Sequence, residues 1–259
     1  MADSSKRSTF LRSAFGAGAA LGVAVIFVIL RLPVISAIYQ AHWMQNQTPA
    51  ISKTPVPLQD TSVAMVEGTR ISEFGWDCEA PWTRVAIRRT NPVVASTVFE
   101  NGKSIGFFDP SQTTDTLAGF AQTTKEGARR RQLEAELGKD TISSDYDLER
   151  ATLQVTPRDF SVFMSNKRAH GYATLLWFKY MTSSAADTGL SSFSFENLRG
   201  FQLGDPAHAR SVVIHGYDRQ DHAVEIFIKM GDGKQDHLLQ SEINRVLQTL
   251  RWISDAKSP

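Results

Sequence analysis

Residues 100–108, ENGKSIGFF, admit three chemistries, and the choice among them decides what kind of fold surrounds them. Gly102-Lys103-Ser104 has the ending of a phosphate-binding loop. Gly102 to Gly106 also spells the G-x-S-x-G of serine hydrolases, and Asn101-Gly102 is the dipeptide favoured in tight β-hairpins. A phosphate loop needs a glycine where Thr97 stands and a helix opening at Lys103 to present its amides. A nucleophile elbow needs a helix directly after Ser104. The continuation SIGFFDP is aromatic and stops at Pro110, which serves neither. The β-branched run VVASTVF at 93–99 makes the hairpin the remaining reading. With Asn101 and Gly102 as its two central residues, Glu100 faces Lys103, Phe99 faces Ser104 and Val98 faces Ile105.

Strand patterning extends in both directions. Phe74, Trp76, Cys78 and Ala80 alternate with Gly75, Asp77 and Glu79, as in a strand with one buried face ending at Pro81. The single cysteine, Cys78, shares that face with two aromatics and reads as a small buried hydrophobe. Val85 and Ile87 continue a second strand until Asn91-Pro92 breaks it. Phe193, Phe195, Phe201 and Leu203 suggest a strand with an irregularity near Gly200. ARSVVIHGY and HAVEIFIKM form a late hairpin about residues 218–221, apolar on both faces through Val212, Ile214, Val224, Ile226 and Phe227. Strands of that kind lie inside a sheet covered on both sides.

The helices read as follows. Thr114 or Asp115 caps a stretch with Leu117, Phe120 and Ala121 inward, and residues 126–137 form a charged helix ended by Gly138, with the arginines 129–131 on its wet face. A partial alternation over 147–155 suggests a strand. Thr156, Pro157 and Asp159 cap a long helix whose stripe of Ala169, Tyr172, Ala173, Leu176, Tyr180 and Met181 faces a sheet, with His170 beside it. Asp236 caps a terminal helix with Leu239, Ile243, Val246, Leu247 and Leu250 inward. The expected fold is α+β: an antiparallel sheet covered by helices, an α/β/α sandwich spanning 69–255.

Ahead of it stand eighteen uncharged residues, 13–30, SAFGAGAALGVAVIFVIL. At about 1.5 Å per residue they nearly match a hydrocarbon core of about 30 Å, and residues 32–38 complete a span, with Arg31 snorkelling to a headgroup. The expected organisation is a cytoplasmic tail at 1–12, a transmembrane helix at 13–38, an extended stalk at 39–68 containing Pro49, Pro55 and Pro57, and the globular domain at 69–255. Lys6, Arg7 and Arg12 precede the span and only Arg31 follows closely. This places the N-terminus in the cytoplasm and the domain outside the inner membrane. Gly18 and Gly22 form a G-x-x-x-G pair through which two copies can associate. A signal peptide would have a shorter apolar core than this.

With 28 basic and 27 acidic residues, the chain lacks the charge footprint of a nucleic-acid binder. One thiol excludes an intrachain disulfide or a cysteine zinc site. Residues 231–236, GDGKQD, lack the alternating oxygen ligands of a calcium loop. His215 and His222 are the metal candidates, expected on one face of the late hairpin with Tyr217 opposite His222. No third ligand has a defined spacing, so no metal, cofactor or catalytic residue is assigned.

The opening FGWDCEAPW, the early hairpin VFENGKSIGFF, the late hairpin VVIHGYDRQDHAVEIFIKM and the terminal INRVLQTLRW together resemble the PsbP-like extracytoplasmic domains over residues 73–253, with residues 111–155 as an insertion. The resemblance implies a mostly noncatalytic module attached to larger assemblies. The expectation is a single-pass, membrane-anchored binding or scaffold domain whose partner is another membrane or extracytoplasmic protein. The alternative is a tethered hydrolase or metal-binding protein using His215, His222 or His208.

Overall fold

The computed structural model describes residues 4–58, 67–109, 128–138, 142–182, 189–231 and 237–253, with side chains other than those of 4–24 and 128–130. The strands are β1 (Val56–Pro57), β2 (Thr69–Glu73), β3 (Trp76–Ala80), β4 (Val85–Thr90), β5 (Val94–Phe99), β6 (Lys103–Phe108), β7 (Leu190–Ser194), β8 (Leu198–Leu203), β9 (Ser211–Asp218), β10 (Ala223–Met230) and β11 (Arg251–Trp252). The α-helices are α1 (Ser4–Gln47), α2 (Ala128–Leu137), α3 (Asp145–Gln154), α4 (Asn166–Thr182) and α5 (Gln240–Thr249).

The fold is α+β. Eight strands form one sheet in the order β1-β7-β8-β9-β10-β6-β5-β4, antiparallel except where β1 runs parallel to β7, and β11-β3-β2 form a second, smaller sheet. The early hairpin is β5–β6, so the reading of residues 100–108 as a turn holds. Its register differs by one residue: Val98 pairs with Ser104 and Thr97 with Ile105. The loop has three residues rather than two. Gly102 sits at φ +84° and donates to the Phe99 carbonyl at 2.9 Å, the arrangement of a turn closed by a left-handed glycine. A one-residue slip reverses every side chain. Lys103 is thereby buried, and donates at 2.6 Å and 2.8 Å to Glu242 of α5 instead of meeting Glu100.

β9 and β10 are central and apolar on both faces, as expected. Val212, Ile214, Val224, Ile226 and Ile228 pack in one core with Trp76, Cys78 and the α5 residues Ile243, Val246 and Leu247. On the opposite face Leu190, Phe201 and Leu203 meet Leu153 of α3.

Several expectations are corrected. Residues 74–80 are not one strand: Phe74 and Gly75 both take positive φ and turn the chain between β2 and β3. The irregularity placed near Gly200 is a turn at 195–197, and Gly200 lies within β8, where an added Cβ would stand 2.0 Å from the His215 carbonyl oxygen. Residues 147–154 are helix, not strand, and Val155 is its C-cap. Ser144 caps α3 by accepting from Asp147 N at 3.0 Å. The Thr156 box is present, but it closes only a 3-10 turn at Pro157–Asp159, and α4 starts afresh at Asn166. The α4 stripe packs on other helices rather than on a sheet, and Met181 is exposed. Leu239 is the exposed residue before α5, and Arg251 and Trp252 form β11 instead of prolonging the helix. Gly138, at φ +100°, ends α2 as expected. The expected helix at 114–121, residues 232–236 of the GDGKQD turn and with them the Asp236 cap fall outside the described residues, as do the side chains of Arg129 and Arg130.

The stalk is also revised. α1 continues unbroken to Gln47, and Val34, Ala37, Ala41 and Met44 are buried against α4 and its surroundings. Residues 34–47 therefore belong to the folded body. One stretch among the described residues, beginning at Val25, is long and apolar enough to cross a membrane by length and composition. Val25 to Leu30 and Leu32 are exposed on it.

Candidate functional site

The two candidate histidines lie on opposite faces of the main sheet. In the late hairpin Ala223, not His222, pairs with Tyr217. The slip sends His222 toward β11, where its ring stacks on Trp252 at 4.5 Å and its Nδ1 lies 2.7 Å from Asp218 Oδ2. His215 points to the other face and pairs with Glu149 of α3. The expected placement of both histidines on one face is thus corrected. Among the described residues no group of three His, Cys, Asp or Glu side chains has the spacing of a metal site. His208 is exposed and held by Asp205 at 2.9 Å.

Around His215 the fold builds a buried polar cluster. Glu149, 1% exposed, takes His215 on one carboxylate oxygen and the Tyr217 hydroxyl on the other. Burial works against a charge on His215, but the Glu149 carboxylate, its hydrogen bond and the nearby Glu225 outweigh it and push the imidazole up to about 9. Burial, reinforced by Glu149, drives the Tyr217 hydroxyl well above its ordinary value. Tyr146 stacks on Phe201 and edges onto Tyr217, and Arg199 lies 4.0 Å above the Tyr146 ring. Asp221 carries α3 into this arrangement by accepting from Asp145 N at 2.6 Å and Tyr146 N at 3.3 Å. The cluster locks a helix to two central strands with charge-assisted bonds. Glu149 carried no sequence signal, because a lone acid in a polar-looking segment gives no sign of burial. The Ser144-x-x-Asp147 spacing is the signal from which the helix that holds it could have been read.

Two surface features remain. An open cleft of about 440 Å³ lies between β3, the β7–β8 turn and the α5–β11 junction. Burial raises the Asp77 carboxyl there, yet hydrogen bonds from Arg70, Ser72 and Arg251 prevail and hold it below its usual range. Cys78 adjoins this cleft but is buried, and burial beside Asp77 and Glu79 pushes its thiol well above the ordinary value, making it a poor nucleophile.

The second is an aromatic groove of about 380 Å³ along the α1–α4 seam, lined by Gln40, Trp43, Met44, His170, Ala173 and Trp177. Trp43 and Trp177 are each nearly half exposed, Tyr39 more so, and both indoles pack on Tyr180. α4 is held in place from behind by α2: an added Cβ at Gly171 would lie 2.7 Å from Leu137, and Glu136 pairs with exposed His170 at 2.8 Å. Rigid, partly exposed tryptophans beside a shallow pocket are the side chains that anchor protein interfaces.

Comparison with family models, with curated proteins and with solved structures gives no match to this chain.

Proposed function

We propose that this chain is a single-pass, membrane-anchored binding or scaffold domain, facing the extracytoplasmic space and acting through protein contacts at the α1–α4 groove. The carrying observation is that exposed Trp43 and Trp177 flank a groove on the same continuous helix that bears the apolar N-terminal run. An isolated apolar patch of this kind marks an interaction surface. The order of strands and helices also supports a PsbP-like arrangement, an α/β/α sandwich with α3 on one face of the large sheet and α5 on the other. Association of two copies through Gly18 and Gly22 belongs to the same proposal. The His215 cluster supports a structural role, since Glu149 and Tyr217 are buried, His215 is mostly so, and the three side chains are spent on one another.

The test is a photo-crosslinking residue at position 177 in native membranes. A discrete protein adduct that disappears when Trp43 is replaced by alanine supports the reading. Crosslinks to lipid alone, with turnover of ester substrates by the purified chain, overturn it. A reporter fused after Pro259 reads the orientation.

A further inference from the structure

The segment joining the 3-10 turn at Pro157–Asp159 to α4 is fixed to α1 at one height. Arg31 Nη1 donates to the Met164 carbonyl oxygen at 2.8 Å, and Val34 and Ala37 pack with Ala169 against Phe160 and Met164. Arg31 is also where α1 changes character: from Val25 to Leu30 its large apolar side chains are exposed, whereas beyond it one face, through Val34, Ala37 and Ala41, is buried in the protein while Leu32 and Ile35 stay exposed on the other. The 160–165 loop is therefore held at the end of the apolar run. At its tip Phe163 is 79% and Val162 41% exposed. Apolar side chains with that exposure have no protein core to fill.

The charges around the tip are mainly basic. Arg158, Lys167 and Arg168 are exposed, and Arg31 stands at the helix. The acid in the segment, Asp159, is occupied by the Thr156 amide at 2.7 Å and hydroxyl at 2.9 Å. Arg168 donates to Tyr172 through one guanidinium nitrogen at 2.7 Å and stays exposed. Apolar tips flanked by lysine and arginine bind the interface of anionic bilayers, the apolar groups entering the acyl boundary and the cations meeting phosphates.

We propose that the 160–165 loop is a second membrane contact: Val162 and Phe163 enter the surface of the bilayer that holds α1, and Arg158, Lys167 and Arg168 bind its anionic headgroups. This rests on the anchor reading of α1. Two attachments on one rigid body fix the tilt of the domain, which a single helix through a free stalk would not.

The experiment uses the full-length chain in vesicles of phosphatidylcholine and phosphatidylglycerol. Because Cys78 is buried, Phe163→Cys or Val162→Cys takes a polarity-sensitive dye at one position, and Ala86→Cys on the exposed edge strand β4 serves as control. The expected result is blue-shifted emission quenched by spin-labelled lipid at 162 and 163 and not at 86, with weaker quenching when phosphatidylglycerol is replaced by phosphatidylcholine. If the chain floats with vesicles after carbonate washing but 163 behaves like 86, the loop contact is overturned and the anchor stands. Quenching that is equal in neutral vesicles overturns the headgroup contacts. A chain that does not float with vesicles overturns both readings.

Discussion

At residue scale, two largely buried cations make opposite contributions to the pH response. The His215 imidazole has an ordinary value near 6.5 and is raised to about 9 in the folded chain by Glu149. A raised folded value means the stabilisation is complete below about pH 6.5 and is lost as pH climbs to about 9. Glu149→Gln removes the carboxylate while leaving an amide to meet Tyr217. The variant is expected to lose about 2–4 kcal/mol near pH 6, because a charge acceptor inside the fold is gone. The decline in melting temperature between about pH 6.5 and 9 should flatten with it. A melting series in both forms checks this, and parallel curves would remove Glu149 from the account. The same cluster bears on the histidines as catalysts: replacing His215 should lower the melting temperature, whereas a surface catalytic histidine would leave it unchanged.

Lys179 is the second cation. It is 2% exposed, and its ammonium donates to the carbonyls of Lys53, Leu153 and Val155 at 2.6–2.8 Å. It thereby ties the segment after α1 to the end of α3, whose last carbonyls lack helical partners. Burial lowers its value to about 8, still protonated at neutral pH. The folded value is depressed, so this group's contribution runs opposite to that of His215 and rises between about pH 8 and 10.5. Lys179→Met keeps the stem and strips the donor from three buried acceptors, at a cost of about 2–3 kcal/mol in denaturant melts. A loss below about 0.5 kcal/mol would mean water already serves those carbonyls.

At element scale, the sequence was most legible where a segment carries its own turn chemistry. Asn101-Gly102 and the 218–221 stretch marked both hairpins, and Pro81 and Pro92 marked strand ends. Loop length was the illegible part: in each hairpin the register differs by one residue from the expected pairing, which is why Lys103 and His222 face where they do. Helix type failed where burial is two-sided. α3 buries Leu148 and Thr152 with Glu149 and Leu153 at helical spacing, but Ala151, Leu153 and Val155 alternate in the sequence and imitate a strand. The α4 stripe was visible, but its partner was not, since nothing in an apolar face says whether a helix or a sheet will cover it.

Asp221 tests how α3 is seated. It occupies φ +68°, and its carboxylate takes the two amides at the start of the helix. Asp221→Ala is expected to cost about 1–2 kcal/mol from the lost cap, together with a left-handed conformation that alanine resists. Asp221→Gly loses the same bonds but not the strain, so it should be about 1 kcal/mol milder. Equal losses in thermal melts would show that the cap alone matters at this loop.

At the scale of the whole molecule, the chief departure from the sequence is that the apolar N-terminal run and the domain share one helix. A run of prolines at 49, 55 and 57 suggested a stalk, and residues 40–47 lack an obvious stripe because Ala41 and Met44 are their only buried letters. The contact is nonetheless substantial: Val34, Ala37, Ala41 and Met44 together cover Ala169, Leu175 and Leu176 of α4. Full burial of a valine or methionine side chain stabilises by about 1.5–3 kcal/mol, so the four residues amount to roughly 5 kcal/mol. That is a large share of the 5–15 kcal/mol, roughly, that holds a domain of this size. A soluble fragment starting at residue 32 should therefore fold cooperatively. One starting at residue 49 should expose the α4 stripe, melt well below the longer fragment and aggregate. Matching melting temperatures for the two would return residues 34–47 to the status of a linker and dissolve the rigid coupling between α1 and α4 on which the proposed second membrane contact rests.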